Sequence, residues 1–171
     1  NFAVALFFAI SGYFSPDYAK LKKDGILLYY RKRLLPLWIP YILWTGLNML
    51  IRDWSLLMSP FAVFKALLMG TGIGIGYFVI VLSSLTIIHP MLARFGRRIP
   101  LYIGAIISFI SVSLLYWIRL EYSEHAIGRF PLTALPFTTW MVFFYLGFYI
   151  QSRKQSEQPR KARLLWLIVF G

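Results

Sequence analysis

Positive charge recurs along this chain at intervals of about one bilayer-spanning helix, and that rhythm limits the possible folds more than any other feature. Apolar stretches alternate with short polar segments, and Lys and Arg gather in every second segment. The segment 15–33 carries Lys20, Lys22, Lys23, Arg31, Lys32 and Arg33. The segment 94–98 carries Arg94, Arg97 and Arg98, and 151–163 carries Arg153, Lys154, Arg160, Lys161 and Arg163. Together they hold fourteen of the eighteen basic residues, leaving Arg52, Lys65, Arg119 and Arg129 for the segments between. Basic residues are retained on the cytoplasmic side during insertion, so this asymmetry is the signature of a polytopic membrane protein. It predicts an all-α transmembrane helix bundle with 15–33, 94–98 and 151–163 on the cytoplasmic face.

Composition agrees. Of the 171 residues 59% are hydrophobic and 19% aromatic, and the mean hydropathy of +0.67 is that of a membrane protein. A net charge of +12 in a soluble protein would point to nucleic acid. Here the charges sit at helix ends, where the anionic headgroups of the inner leaflet account for them. The lipid bilayer is the expected partner, and nucleic acid is not. The chain has no cysteine, which excludes disulfides, thiol nucleophiles and thiolate metal ligands.

Four full spans are expected at about 34–51, 77–93, 99–118 and 136–150. Residues 1–14 give about 21 Å of helix, short of a hydrocarbon core of roughly 30 Å, and 164–171 give about two turns. Residues 1–171 therefore read as part of a single integral membrane domain cut at both ends, with two partial spans. Pro36 is expected in the first turn of its span, where early N–H groups lack partners anyway, and Pro40 one turn later is expected to kink it. Trp38, Tyr41 and Trp44 fit an aromatic belt. Residues 61–69 are too short to cross and are expected along the interface. Gly70, Gly72, Gly74 and Gly76 read as a connector; no Lys-Ser/Thr follows, so they do not form a phosphate loop.

Catalytic constellations are few. The six acids all fall outside the centres of the expected spans, and no His or carboxylate pair stands at metal-ligand or acid–base spacing. No metal is expected. Ser11, Asn48, Ser83, Ser84, Thr86, Ser108, Ser111 and Ser113 lie within spans, where small hydroxyl residues serve helix packing. His89 reads either as an interfacial residue beside Pro90 or as a general base near the cytoplasmic face. His125, between Glu124 and Arg129, reads as a solvated loop residue or as a group acting on an external substrate. The strongest candidates are Arg31, Lys32 and Arg33, placed where a polar segment enters a span near a helix N-terminus. They suit a phosphate-bearing ligand, and they equally suit plain positive-inside anchoring.

Two ordered segments resemble a known family. Residues 7–14 (FFAISGYF), followed after a basic segment by 29–44 (YYRKRLLPLWIPYILW), are similar to the acyltransferase 3 family of bacterial integral membrane acyltransferases. That family shows an F-F-x-x-S-G-[FY] helix end and then [KR]-R-x-x-R-x-x-x-P-Y. Gly70-Thr71-Gly72 ahead of Tyr77-Phe78-Val79, with Pro90 beyond, echoes a third motif. The likeness covers most of residues 1–92. The family's Arg-x-x-Arg pair falls on Arg33 and Pro36, so the second arginine is replaced. Gly76-Tyr77-Phe78 stands where a His-Leu-Trp-Phe form is common.

The resemblance implies acyl transfer from a cytoplasmic acyl-CoA donor, expected to be acetyl-CoA, to a hydroxyl of a carbohydrate or cell-surface glycan, as in O-acetylation of polysaccharide. No bound cofactor is implied. Arg31, Lys32 and Arg33 would grip the donor phosphates. The catalytic base would be a His upstream of Asn1. The bacterial cytoplasmic membrane is the implied location. The alternative is a carrier or exporter of polysaccharide or lipid-linked intermediates without chemistry of its own.

Overall fold

Lipid, unlike water, gives no reason to hide apolar side chains, and the two longest helices display theirs. The computed structural model describes residues 2–52, 58–71, 76–96, 98–121 and 136–151, and all regular structure among them is helical. The order is α1 (Phe2–Tyr13), α2 (Tyr18–Asp24), α3 (Ile26–Arg52), α4 (Pro60–Met69), α5 (Tyr77–Ala93) and α6 (Arg98–Glu121). A 3₁₀ turn, Phe137–Trp140, then leads into α7 over 141–151. Helices α3 and α6 are long and apolar enough to cross a membrane. Leu43 on α3 is 68% exposed and Phe109 on α6 is 75% exposed. In water such surface would cost about 25 cal/mol per Å². In hydrocarbon it costs nothing, and the chain is an all-α membrane helix bundle. At 17 residues, α5 stands at the lower length limit of a span.

The expected spans at 77–93 and 99–118 match α5 and α6 to within a turn. The span expected from residue 34 begins much earlier, at Ile26. Gly25, at φ 90°, ends α2, and the apolar run Ile26-Leu27-Leu28-Tyr29-Tyr30 carries helix straight on beneath the basic residues. Pro36 and Pro40 consequently lie inside α3 and not in a first turn. With no N–H to give, Pro36 leaves the Lys32 carbonyl without its helical partner, and Pro40 does the same to the carbonyl of Pro36.

Helix α4 has clear start and stop chemistry. The Ser59 hydroxyl accepts from the Ala62 N–H at 3.4 Å, Pro60 opens the first turn, and Gly70 at φ 66° closes the last. Its last carbonyls need partners. The Tyr41 hydroxyl supplies one, donating to the Leu67 carbonyl at 2.8 Å and docking α4 on α3.

Helix α5 is the hub, with eleven of its 17 residues buried. Trp38 Nε1 donates to the Ser83 hydroxyl at 2.9 Å, and the Tyr30 hydroxyl donates to the Ile87 carbonyl at 2.9 Å, so α3 is held to α5 at two heights. On α6, Pro100, Gly104 and Ser108 are buried at four-residue spacing. The Ser108 hydroxyl donates to the Thr138 carbonyl at 2.8 Å and accepts from the Val142 N–H at 3.1 Å, tying α6 to the start of α7. Ser83 and Ser108 are packing devices, as read from the sequence. The expectations for residues 72–75, Glu124, His125, Arg129, 152–163 and 164–171 lie outside the described residues.

Helices α1 and α7 approach backbone to backbone. A Cβ on Gly12 would overlap the Phe144 carbonyl, and one on Gly147 would overlap the Ala9 carbonyl. Gly46 on α3 has nothing within 4 Å of its Cβ position. Gly12→Ala and Gly147→Ala should each therefore cost about 1–3 kcal/mol as overpacked contacts. Gly46→Ala should be neutral or stabilise by about 0.5–1 kcal/mol through helix propensity. Thermal unfolding of the three variants in detergent checks this; an α1–α7 pair indifferent to both alanines would disprove the close crossing.

Candidate functional site

The helix ends after Tyr13, and the chain must then cross to α2 through Ser15-Pro16-Asp17. Pro16 has no N–H and drives the residue before it out of helical geometry, so the break is written locally. A break frees backbone carbonyls, and buried carbonyls need donors. Ser15 is buried, its hydroxyl donating to the Ser11 carbonyl at 2.9 Å and its N–H to the Gly12 carbonyl at 3.0 Å. The Phe14 carbonyl accepts from the Arg33 guanidinium through Nη2. The Pro16 carbonyl accepts from His89 Nε2 at 2.9 Å. A carbonyl has no proton to offer, so Nε2 carries the hydrogen and Nδ1 is the lone-pair nitrogen. Two side chains from two different helices thus hold one short strap.

The three basic candidates do not form one cluster. Residues 31, 32 and 33 sit in the second turn of α3, beyond the free N–H groups at its start, so the expected help from a helix N-terminus does not reach them. Successive helical side chains diverge by about 100°. Arg33 turns inward to the strap and is partly buried, whereas Arg31 and Lys32 are exposed.

His89 does not face outward from the protein: its exposure is 0%, and four aromatic rings pack around it. Phe148 lies 4.8 Å away edge-on, Phe144 5.6 Å, Tyr29 6.0 Å and Tyr145 6.1 Å. Nδ1 and the hydroxyl of Tyr145 have no hydrogen-bond partner among the described residues. The sequence reading passed over these aromatics. The signal available was Phe144, Tyr145 and Phe148, which share one face of a helix by their spacing.

Arg94 stacks over the Tyr18 ring at 5.8 Å, which places the first two basic segments at the same end of the bundle. Beside the strap, Asp17, Tyr18, Arg94 and Phe148 border a cleft of about 290 Å³. A larger groove of about 660 Å³ starts at Pro36, one turn beyond Arg33. It runs between α3 and α5 past Pro40, Trp44 and Phe78 to Arg52 at the other end.

Residues 1–171 match the family described as an acyltransferase domain, acyltransferase 3. No curated protein and no solved structure matches the chain. The helix end Ser11-Gly12-Tyr13-Phe14 and the arginine of the following helix, two segments that carried the resemblance, meet at the Phe14 carbonyl. With that contact made and the family match running over the whole sequence, the chain belongs to the acyltransferase 3 family and is a membrane acyltransferase domain.

Proposed function

We propose that the chain belongs to an O-acyltransferase of the bacterial cytoplasmic membrane. It takes an acyl group, acetyl in the simplest case, from cytoplasmic acyl-CoA and passes it to a hydroxyl of a carbohydrate or cell-surface glycan. The acceptor oxygen attacks the thioester carbonyl, the C–S bond breaks, and CoA leaves as the thiolate. A base from outside residues 1–171 takes the hydroxyl proton.

The observation that carries this reading is Arg33. One of its five N–H donors is spent on the Phe14 carbonyl, which orients the planar fork and leaves the others for a diphosphate. Exposed Arg31 and Lys32 add charge without fixed geometry, suited to drawing an anion in. The groove that opens one turn further along α3 is apolar, as an acyl group requires, and continues toward the opposite end of the bundle.

In the full-length protein, Arg33→Ala should raise the KM for acyl-CoA roughly 10- to 100-fold, the worth of charge-assisted hydrogen bonds. Arg31→Ala and Lys32→Ala should raise it only about twofold, and added salt should erase that difference. Acceptor-dependent release of free CoA is the readout, and these 171 residues add no thiol background. An unchanged KM in Arg33→Ala would remove the donor site from this position. The orientation is tested separately with a single cysteine at exposed Lys22. An impermeant maleimide should label it in inside-out vesicles and not in right-side-out ones; the reverse pattern would invert the topology.

A further inference from the structure

We propose that His89 is the positioning residue for Arg33, an inference that rests on reading Arg33 as the donor-binding group. The path is short: two hydrogen bonds joined by two residues of chain. His89 Nε2–H holds the Pro16 carbonyl at 2.9 Å, Pro16 lies two residues from Phe14, and the Phe14 carbonyl holds the Arg33 guanidinium. The imidazole comes from α5, the most buried helix, so the strap is referenced to the hub of the bundle and not only to its own neighbours.

The site is built for a fixed ring. Burying a polar side chain is costly unless it is hydrogen-bonded, and a Leu or Phe at this place on α5 would meet the packing demand alone. What an apolar residue cannot do is satisfy the Pro16 carbonyl. The rings of Tyr29, Phe144, Tyr145 and Phe148 pack the imidazole against α3 and α7 at once. Tyr29 lies one turn before Arg33 on α3, so ring and guanidinium are also registered through that helix. His89 touches neither the donor nor the reacting atoms; it acts by holding the carbonyl partner of a group that does.

Two substitutions in the full-length protein separate the hydrogen bond from the packing. His89→Phe keeps a ring in the cage and loses the donor. His89→Gln keeps an N–H at about the Nε2 position and loses the ring. The Phe variant should unfold at a modestly lower temperature, because it orphans the Pro16 carbonyl, and should raise the KM for acyl-CoA about three- to tenfold, with kcat within about twofold. Hydrogen exchange over residues 14–18, read by mass spectrometry, should quicken in parallel. The Gln variant should unfold at a lower temperature while its donor KM and strap exchange stay near wild type. A Phe variant with unchanged KM and unchanged exchange overturns the proposal, as does an equal rise of KM in both variants, which would mark His89 as packing only. If Arg33→Ala leaves the donor KM unmoved while His89→Phe still quickens the strap, the linkage between His89 and the strap stands and the donor reading falls.

Discussion

A chain that breaks its helix against packed protein must find donors for the carbonyls it buries, and this constraint organises the basic end of the molecule. Water can satisfy such groups on a soluble protein; within a membrane bundle, irregular backbone survives only where protein side chains replace it. The break at Ser15-Pro16 is met by Ser15 itself, by Arg33 from α3 and by His89 from α5. Three helices are thereby locked in register by one non-helical tripeptide. The arginine proposed to bind the donor and the histidine that holds the strap share the same short stretch of backbone.

That arrangement depends on how closely α7 can approach. Gly12 and Gly147 remove the two side chains that would hold α1 and α7 apart, and the resulting crossing pushes Phe144, Tyr145 and Phe148 toward α5. Between helices in lipid there is no hydrophobic gain from association, so close backbone packing and hydrogen bonds carry the load. The glycines supply the first, and the Ser108 bridge to Thr138 and Val142 supplies the second. The aromatic cage around His89 is a consequence of both.

What could be read from the residues beforehand follows the physics of each signal. Hydropathy located α5 and α6 within a turn because a helix in a membrane bundle is apolar nearly all round, whether protein covers it, as for α5, or lipid, as for α6. It failed at the start of α3, where Arg31, Lys32 and Arg33 lowered the window average although the backbone there remains a good helix. Charge predicted a common side for the basic segments, and the Arg94–Tyr18 contact puts the first two at one end. The role of Gly12 was visible only as a motif letter, and Gly147 carried no local mark, because a close crossing is a property of two helices and not of either sequence. His89 could be weighed only as a lone polar residue beside proline. Its partner, the Pro16 carbonyl, lies 73 residues away and carries no side-chain signal at all.

Pro36 stands three residues after Arg33, on the same face of α3, at the place where the family pattern has its second arginine. The exchange alters more than charge. A proline offers no donor to a phosphate, and it lines the start of the apolar groove where a guanidinium would have made that mouth polar. In the donor site proposed above, recognition of an anion at this end falls on a single oriented arginine with two loosely placed cations beside it. A lone guanidinium that must be ordered on binding surrenders side-chain entropy each time; one already held by a carbonyl does not. Loss of the second arginine therefore raises the value of whatever fixes the first, and in this chain that is the strap and the buried histidine behind it.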